Sequence, residues 1–499
     1  MSYPPLSDLL SQMKGMPSTN KWDVICSYTI IQLNQFLKTQ YEANKLAKHV
    51  QLSTDREDPL TGEAFTITYD IQFDSPKLAF TSGRSGFTTL TMPIVNDSSY
   101  SVSPKGSSQA RKVSIPGGVY SIEAIVPLAA MNGDTGEVVE ADNLITFSDG
   151  KVHDNHVIIH FKNEKGAAYK LIPDPDPKDK DPLVTYFLPV LTQYFQTEVD
   201  EIDYALATVN NIVPDTGTTL LTPKSFVFHS AADDDNTDGV LSLYIQTAES
   251  GNPPGDATPS FQPSGSSQFP IPEGQTASII LSHALITKAY LQAQLTNSGY
   301  NVTFNAPSDG ISVTLKKDVS VISDGDSGTY IFGGHSYDGL QINLNDYPLT
   351  LTIKDSQLSL QWEGKATSSW SEYTLGSNGG NWGKVDLTIE MHKSAALTLT
   401  KEDVIGGELS VDRQDYAITI KSHSCSFWES LNHCREDYPS YYSNDMVLTI
   451  PAIQIAFAGL NFFNTTNLVS PGQTVIELDT TTGVQTPHDF LIVGKVTAK

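Results

Sequence analysis

The most continuous apolar patterning lies near the start of the chain, in residues 22–50, WDVICSYTIIQLNQFLKTQYEANKLAKHV. Wound as a helix at about 100° per residue, this stretch puts Asp23, Ser27, Asn34 and Lys38 on one narrow polar stripe. Trp22, Val24, Ile25, Cys26, Tyr28, Ile30, Ile31, Leu33, Phe36 and Leu37 cover most of the remaining circumference. A surface helix needs only one apolar stripe facing a core. With no proline to interrupt it and Asn20 placed to cap it, the pattern predicts a long helix. Something must wrap such a helix, and a strongly curved sheet fits best.

A second stretch repeats the theme. Residues 277–295, ASIILSHALITKAYLQAQL, carry apolar side chains around most of a helix and a polar stripe of Ser278, Ser282 and Gln292. Both stretches are followed by strand-like segments. Phe65, Ile67, Tyr69, Ile71 and Phe73 alternate as one face of a strand, and similar runs continue through residues 302–420. Between the halves, PDPDPKDKDP at residues 173–182 reads as a charged proline spacer. Residues 183–213 return to helical spacing, with Pro189 expected to kink or restart the helix. The Pro/Gly/Ser-rich residues 250–274 read as an exposed loop. The fold class expected is α+β, with two modules at residues 1–178 and 179–499, each a long apolar helix wrapped by a strongly curved antiparallel sheet.

Charge narrows the partners. A formal charge of −26 with a pI near 4.6 leaves no basic stripe for phosphates, so nucleic acid is excluded as a partner. It also disfavours adsorption to anionic membranes by charge alone. No apolar stretch reaches the ~18 residues of a membrane-spanning helix. The opening MSYPPLSDLLSQMKGM has no basic start followed by an apolar run, so no signal peptide is read there. The chain has three cysteines, which suits a reducing compartment. Cys26 reads as a buried thiol, while pairing of Cys425 with Cys434 stays open.

The chemical motifs are incomplete. His153, His156 and His160 lie close in sequence but match no standard zinc spacing, and neither do His423, Cys425, His433 and Cys434. ADDDNTDG places Asp234, Asn236, Asp238 and Gly239 like the start of a calcium loop, yet Ile245 stands where the closing glutamate belongs. GGHSYDG has Asp338 in place of the second glycine of a nucleophile elbow, and SGRSG has the wrong spacing. No phosphate-cradling or dinucleotide fingerprint occurs. The sequence therefore points to no enzyme, no metal and no cofactor.

Three stretches resemble one family. They are NKWDVICSYTIIQLNQFL, with Trp22-Asp23, Asn34 and Leu37; DSPKLAFTSGRSGFTTLTMPI, ending at Met92-Pro93-Ile94; and the terminal NLVSPGQTVIELDTTTGVQTPHDFLIVGKV. Together they resemble the forty-seven-kilodalton protein family of clostridial neurotoxin gene clusters, neighbours of the OrfX proteins, with relatives in other bacterial toxin loci. The resemblance implies the TULIP superfamily, in which a long helix is wrapped by a curved sheet. It implies a non-enzymatic accessory protein beside a toxin, made in the bacterial cytoplasm and released with that toxin. Its partners would be a lipid or fatty acid and the toxin or other proteins of the cluster. The alternative is a pure interaction protein whose tubes are filled by side chains such as Trp22, Tyr28, Phe36 and Tyr290. If the helices line a groove, Ile25, Thr29, Leu33 and Phe36 on the first face the ligand. Leu281, Ala284, Leu285 and Leu291 do so on the second.

Overall fold

The computed structural model describes residues 3–498 apart from 59, 134–135, 141–142, 148–149, 164–165, 173–182, 266, 306–309, 375–379, 401, 403, 427–437 and 472–473. The charged spacer at 173–182 therefore lies outside the described residues, as do His433 and Cys434. The chain divides into two compact units. One comprises Met1–Leu285, Gly459–Thr482 and Asp489–Lys499; the other comprises Ile286–Ala458 and Gly483–His488.

The expected fold class needs correction. Strand makes up 47% of the protein and helix 15%, and among the described residues no long helix is wrapped by a curved sheet. Residues 22–50 form a strand, Val24–Thr29, then a helix, Ile30–Glu42, and then the start of another strand, His49–Glu57. The reason lies in the residue types. VICSYT is β-branched and aromatic, and a strand buried on both faces shows the same unbroken apolar run as a buried helix. Thr29, not Asn20, caps the helix, its hydroxyl accepting the Gln32 N–H at 3.2 Å. Asn44, at φ 60°, follows the helix in the left-handed region. The second stretch divides likewise, into the strand Ala277–Leu281 and a helix over residues 283–297 with π-type hydrogen bonding at Leu285–Leu291.

The first unit is organised about a seven-stranded sheet in the order Ile145–Thr146, Pro223–Ala232, Gly239–Thr247, Val24–Thr29, Ala277–Leu281, Phe490–Ala498, Thr474–Leu478. Its three middle strands are buried throughout. Register lines up Val227, Tyr244, Ile25, Ile280 and Leu491 as one row across five strands. The short helix Leu6–Met13 covers this row with Leu9 and Met13, joined by Trp22 and Phe261. Each large side chain so buried contributes about 1.5–3 kcal/mol. A second row runs His229, Ser242, Ser27, Ser278, with the Ser27 and Ser242 hydroxyls 2.8 Å apart. An eight-stranded sheet runs from Leu468–Val469 through Ala205–Asn210, Asp154–Ile159, Ser121–Asn132 and Phe87–Pro93 to Lys77–Phe80. A four-stranded sheet contains Ala64–Gln72, the strand legible from its alternation.

The segment 250–274, expected to be an exposed loop, is tied to the central strand. Buried Asp23 accepts from the Thr247 N–H at 2.9 Å, the Thr247 hydroxyl at 3.2 Å and the Asn252 side-chain amide at 2.6 Å. The Trp22 indole donates to the Asp256 carbonyl at 3.0 Å. Gly255 lies flat on that indole, where a Cβ would overlap ring atoms. Phe261, Phe269 and Ile271 then bury themselves in the unit.

The second unit is built on another eight-stranded sheet. Its long strands Gln357–Thr374 and Asn381–Ala396 pair along their length, and Tyr416–Ser426 adds to the latter. Leu349–Lys354 alternates buried residues with half-buried threonines and an exposed lysine, as its LTLTIK pattern requires.

Two outcomes are expected. Asp23→Ala leaves three donors, two of them buried, without an acceptor, so chemical denaturation should show a loss of about 2–4 kcal/mol, with faster proteolysis within 250–274. Burial pushes the Cys26 thiol up to about 12. Cys26 should therefore stay unalkylated in folded protein at pH 8 and react once the chain is unfolded, as read by peptide mass spectrometry.

Candidate functional site

The eight residues expected to line a groove are placed as packing residues of separate elements. Ile25 belongs to the apolar row of the central sheet, and Leu281 pairs with Val24 and Phe490 at the end of its strand. Thr29 caps the first helix; Leu33 and Phe36 lie on its buried face, with the Phe36 ring edge-on to Tyr28 at 6.1 Å. Ala284 is half-buried, while Leu285 and Leu291 are buried in the second helix. The strand pairing brings Ile25 beside the strand of Leu281, and one helix carries Leu33 and Phe36. None of the eight lines either of the two cavities described below.

The most apolar of these cavities, of about 280 Å³, lies in the first unit. Three separate segments build it. The Gly/Ser turn at 81–86 joins the strands Lys77–Phe80 and Phe87–Pro93 and forms the rim. The hairpin strands Pro223–Ala232 and Gly239–Thr247 provide His229, Val240 and Tyr244. The tied-down segment adds Phe261 and Pro270. Burial raises the Tyr244 phenol far above its ordinary pKa and keeps it neutral.

Polar groups gather at the rim. The Ser85 hydroxyl lies 2.9 Å from His229 Nδ1 and accepts from the Ser230 N–H at 3.3 Å. The Ser230 hydroxyl accepts from the Gly86 N–H at 2.9 Å. Arg84 is exposed, its guanidinium 3.5 Å from the Phe87 ring centroid. The described lining residues of this cavity are hydroxyl, amide, imidazole, guanidinium and apolar groups. The arrangement suits holding: an apolar floor for a small hydrophobic body, with guanidinium and imidazole at the edge for a polar or anionic end. The sequence marks SGRSG only as a turn, and nothing local marks His229.

The acidic turn expected to resemble a calcium loop joins the two hairpin strands. Its Asp233 carboxylate accepts from the Thr237 N–H at 2.7 Å and hydroxyl at 2.6 Å. The Asn236 side chain accepts the Ser82 N–H at 2.6 Å and so anchors the cavity rim. The histidines of HDNHVIIH go separate ways. His156 meets the Thr208 hydroxyl at 2.8 Å, and His160 meets the buried Glu201 at 3.0 Å. Burial raises the Glu201 pKa, but His160 and the Lys162 N–H outweigh it and hold the carboxyl below its ordinary value. The backbone N–H of His153 bonds Asn211.

A larger, wetter groove of about 820 Å³ lies in the second unit, lined by Tyr347, Trp362 and Tyr416 with Asp346, Glu363, Glu390 and Asp415. Lys365 answers Glu363 at 2.9 Å, and Lys393 answers Asp415 at 2.9 Å.

No family model and no curated protein matches this sequence. Among solved structures, P47 from Clostridium botulinum A2 superposes over 97% of this chain and 100% of its own, with a TM-score of 0.51 and 13% identity. The fold is similar to that of P47. At such identity the likeness concerns the path of the backbone and not the side chains of a site. Lipopolysaccharide binding protein also aligns, over 96% of this chain and 99% of its own, at a TM-score of 0.28 and 9% identity. A score at that level does not separate a shared fold from a general likeness of β-rich chains.

Because Asn236 anchors the rim, Asn236→Ala should speed hydrogen exchange at residues 82–86 while leaving the melting temperature within a few degrees. Unaltered exchange would show that the turn is held by its own hairpin.

Proposed function

We propose that this chain is a non-enzymatic accessory protein of a bacterial toxin gene cluster whose first unit holds a small apolar ligand with a polar or anionic end. The observation that carries the reading is the 280 Å³ cavity, with Val240, Tyr244, Phe261 and Pro270 as its body and Arg84, Ser85 and His229 at its edge. The P47-like fold supports the toxin-cluster setting. On this reading a fatty acid is the natural probe, and the chain is made in the bacterial cytoplasm and released together with the toxin.

A second reading, a pure interaction protein, draws support from the core. Seven of the eight groove candidates, Ile25, Thr29, Leu33, Phe36, Leu281, Leu285 and Leu291, are buried against protein. The two readings separate on one variant and one mass. Ala231 is half-buried at the cavity wall, so Ala231→Phe fills space without opening the core. Freshly purified protein should carry extra mass of lipid size in native mass spectrometry. Ala231→Phe should reduce uptake of a fluorescent fatty acid about tenfold, a loss of ~1.4 kcal/mol, with little change in melting temperature. Bare protein with no uptake by the parent favours the interaction protein.

A further inference from the structure

We infer that the hairpin tip at Tyr330–Gly333 in the second unit is a membrane-docking element that inserts into the interfacial layer of a zwitterionic bilayer. This goes beyond the cavity reading and does not depend on it. The strands Asp326–Tyr330 and Gly333–Tyr337 pair with Tyr330 opposite Gly333, which leaves Ile331 and Phe332 as a two-residue turn. Tight hairpin turns favour Asn, Asp and Gly at such positions, for positive φ and for solvation. Here two large apolar residues occupy them, and neither has positive φ. Ile331 is 85% exposed, Phe332 67% and Tyr330 55%. Local rules broken on an exposed surface point to a binding role.

The surroundings complete a collar. Gly334 pairs with Tyr373 across the next strand, and Trp382 pairs with Ser371. Cross-strand partners share a face, as do residues two apart, so Tyr373 and Trp382 stand side by side. Both are about half exposed. A Cβ on Gly333 would meet the Tyr330 ring, and one on Gly334 would meet the Tyr373 ring, so glycine lets both rings lie against the ribbon. The tip is therefore aliphatic and phenylalanine at its apex, with tyrosine and tryptophan behind. That order matches the depth profile of a bilayer, where Tyr and Trp prefer the headgroup level.

Charge distinguishes a bilayer from other occupants. The chain carries 57 Asp and Glu, yet residues 327–337, 373–374 and 380–383 contain no Asp, Glu, Lys or Arg. Two carboxylates flanking these stretches in sequence are set back and engaged. Asp326 bonds His335 at 3.1 Å, and Glu372 accepts from the Tyr337 hydroxyl at 2.5 Å. At ~3.4 Å per residue, Asp326 stands ~13 Å behind Tyr330 along the strand. Consecutive exposure of Tyr330, Ile331 and Phe332 puts apolar surface all round the turn. A flat protein epitope touches one face of such a ribbon, whereas lipid surrounds it.

The test is flotation of the full chain with phosphatidylcholine vesicles. The parent should float, and Ile331→Ser with Phe332→Ser should lower the bound fraction at least tenfold, while Ile331→Leu with Phe332→Leu retains it. Fatty-acid uptake by the cavity should be unchanged in the serine variant, which separates this inference from the cavity reading. A parent that stays in the dense layer overturns the inference, as does a serine variant that floats as well as the parent. Binding only to vesicles of anionic lipid overturns it too. Loss of self-association in place of flotation would assign the tip to a protein partner.

Discussion

The structure depends on burying one strand completely. Val24–Thr29 has neighbours on both edges and cover on both faces, so its backbone groups must be paired by protein. That requirement recruits Gly239–Thr247 and Ala277–Leu281, which are themselves fully buried and need partners in turn. The demand passes outward to Pro223–Ala232 and Phe490–Ala498. Buried carboxylates settle the strand ends. Asp23 takes the donors of Thr247 and Asn252, and Asp489 takes the N–H and hydroxyl of Ser18 and the N–H of His283.

This accounts for what was legible in the sequence. The run from Trp22 to Leu37 announces something enclosed on all sides, and that holds for the strand Val24–Thr29 but not for the helix after it, where Ile31 is exposed. Its periodicity could not say whether helix or strand, because polar residues that would mark an exposed face are absent from VICSYT apart from Ser27 and Thr29. Ser27 is buried in a serine row and Thr29 is a cap, so neither signals solvent. Where a strand is only half-buried, as at Ala64–Gln72, alternation was readable. The anchors Phe261, Phe269 and Ile271 sit at irregular spacing among Pro, Gly and Ser, a composition that hides packing. The cavity was illegible for a different reason: Arg84, His229 and Phe261 come from three segments that meet only in the folded chain.

The family resemblance rests on residues that turn out to be clamps. Trp22 and Asp23 hold the segment 250–274. Asn34 clasps the strand Lys77–Phe80 through both main-chain groups of Leu78, at 2.9 and 2.6 Å, and so ties the first resembling stretch to the second. Asp489 ties the third to the start of the helix after Leu281. Clamps of this kind specify architecture. They are compatible with many surfaces and cavities, which is why a shared fold at 13% identity leaves the chemistry to be argued from this chain's own side chains.

The strand Phe490–Ala498 pairs with Ala277–Leu281, yet it follows Ile286–Ala458 of the second unit in chain order. During synthesis the edge of Ala277–Leu281 stays bare while that whole unit emerges from the ribosome. A buried-type apolar edge exposed for such an interval is a template for wrong pairing, between nascent chains or within one. The first unit is thus begun early and closed late, and its folding depends on that edge staying unpaired in the meantime.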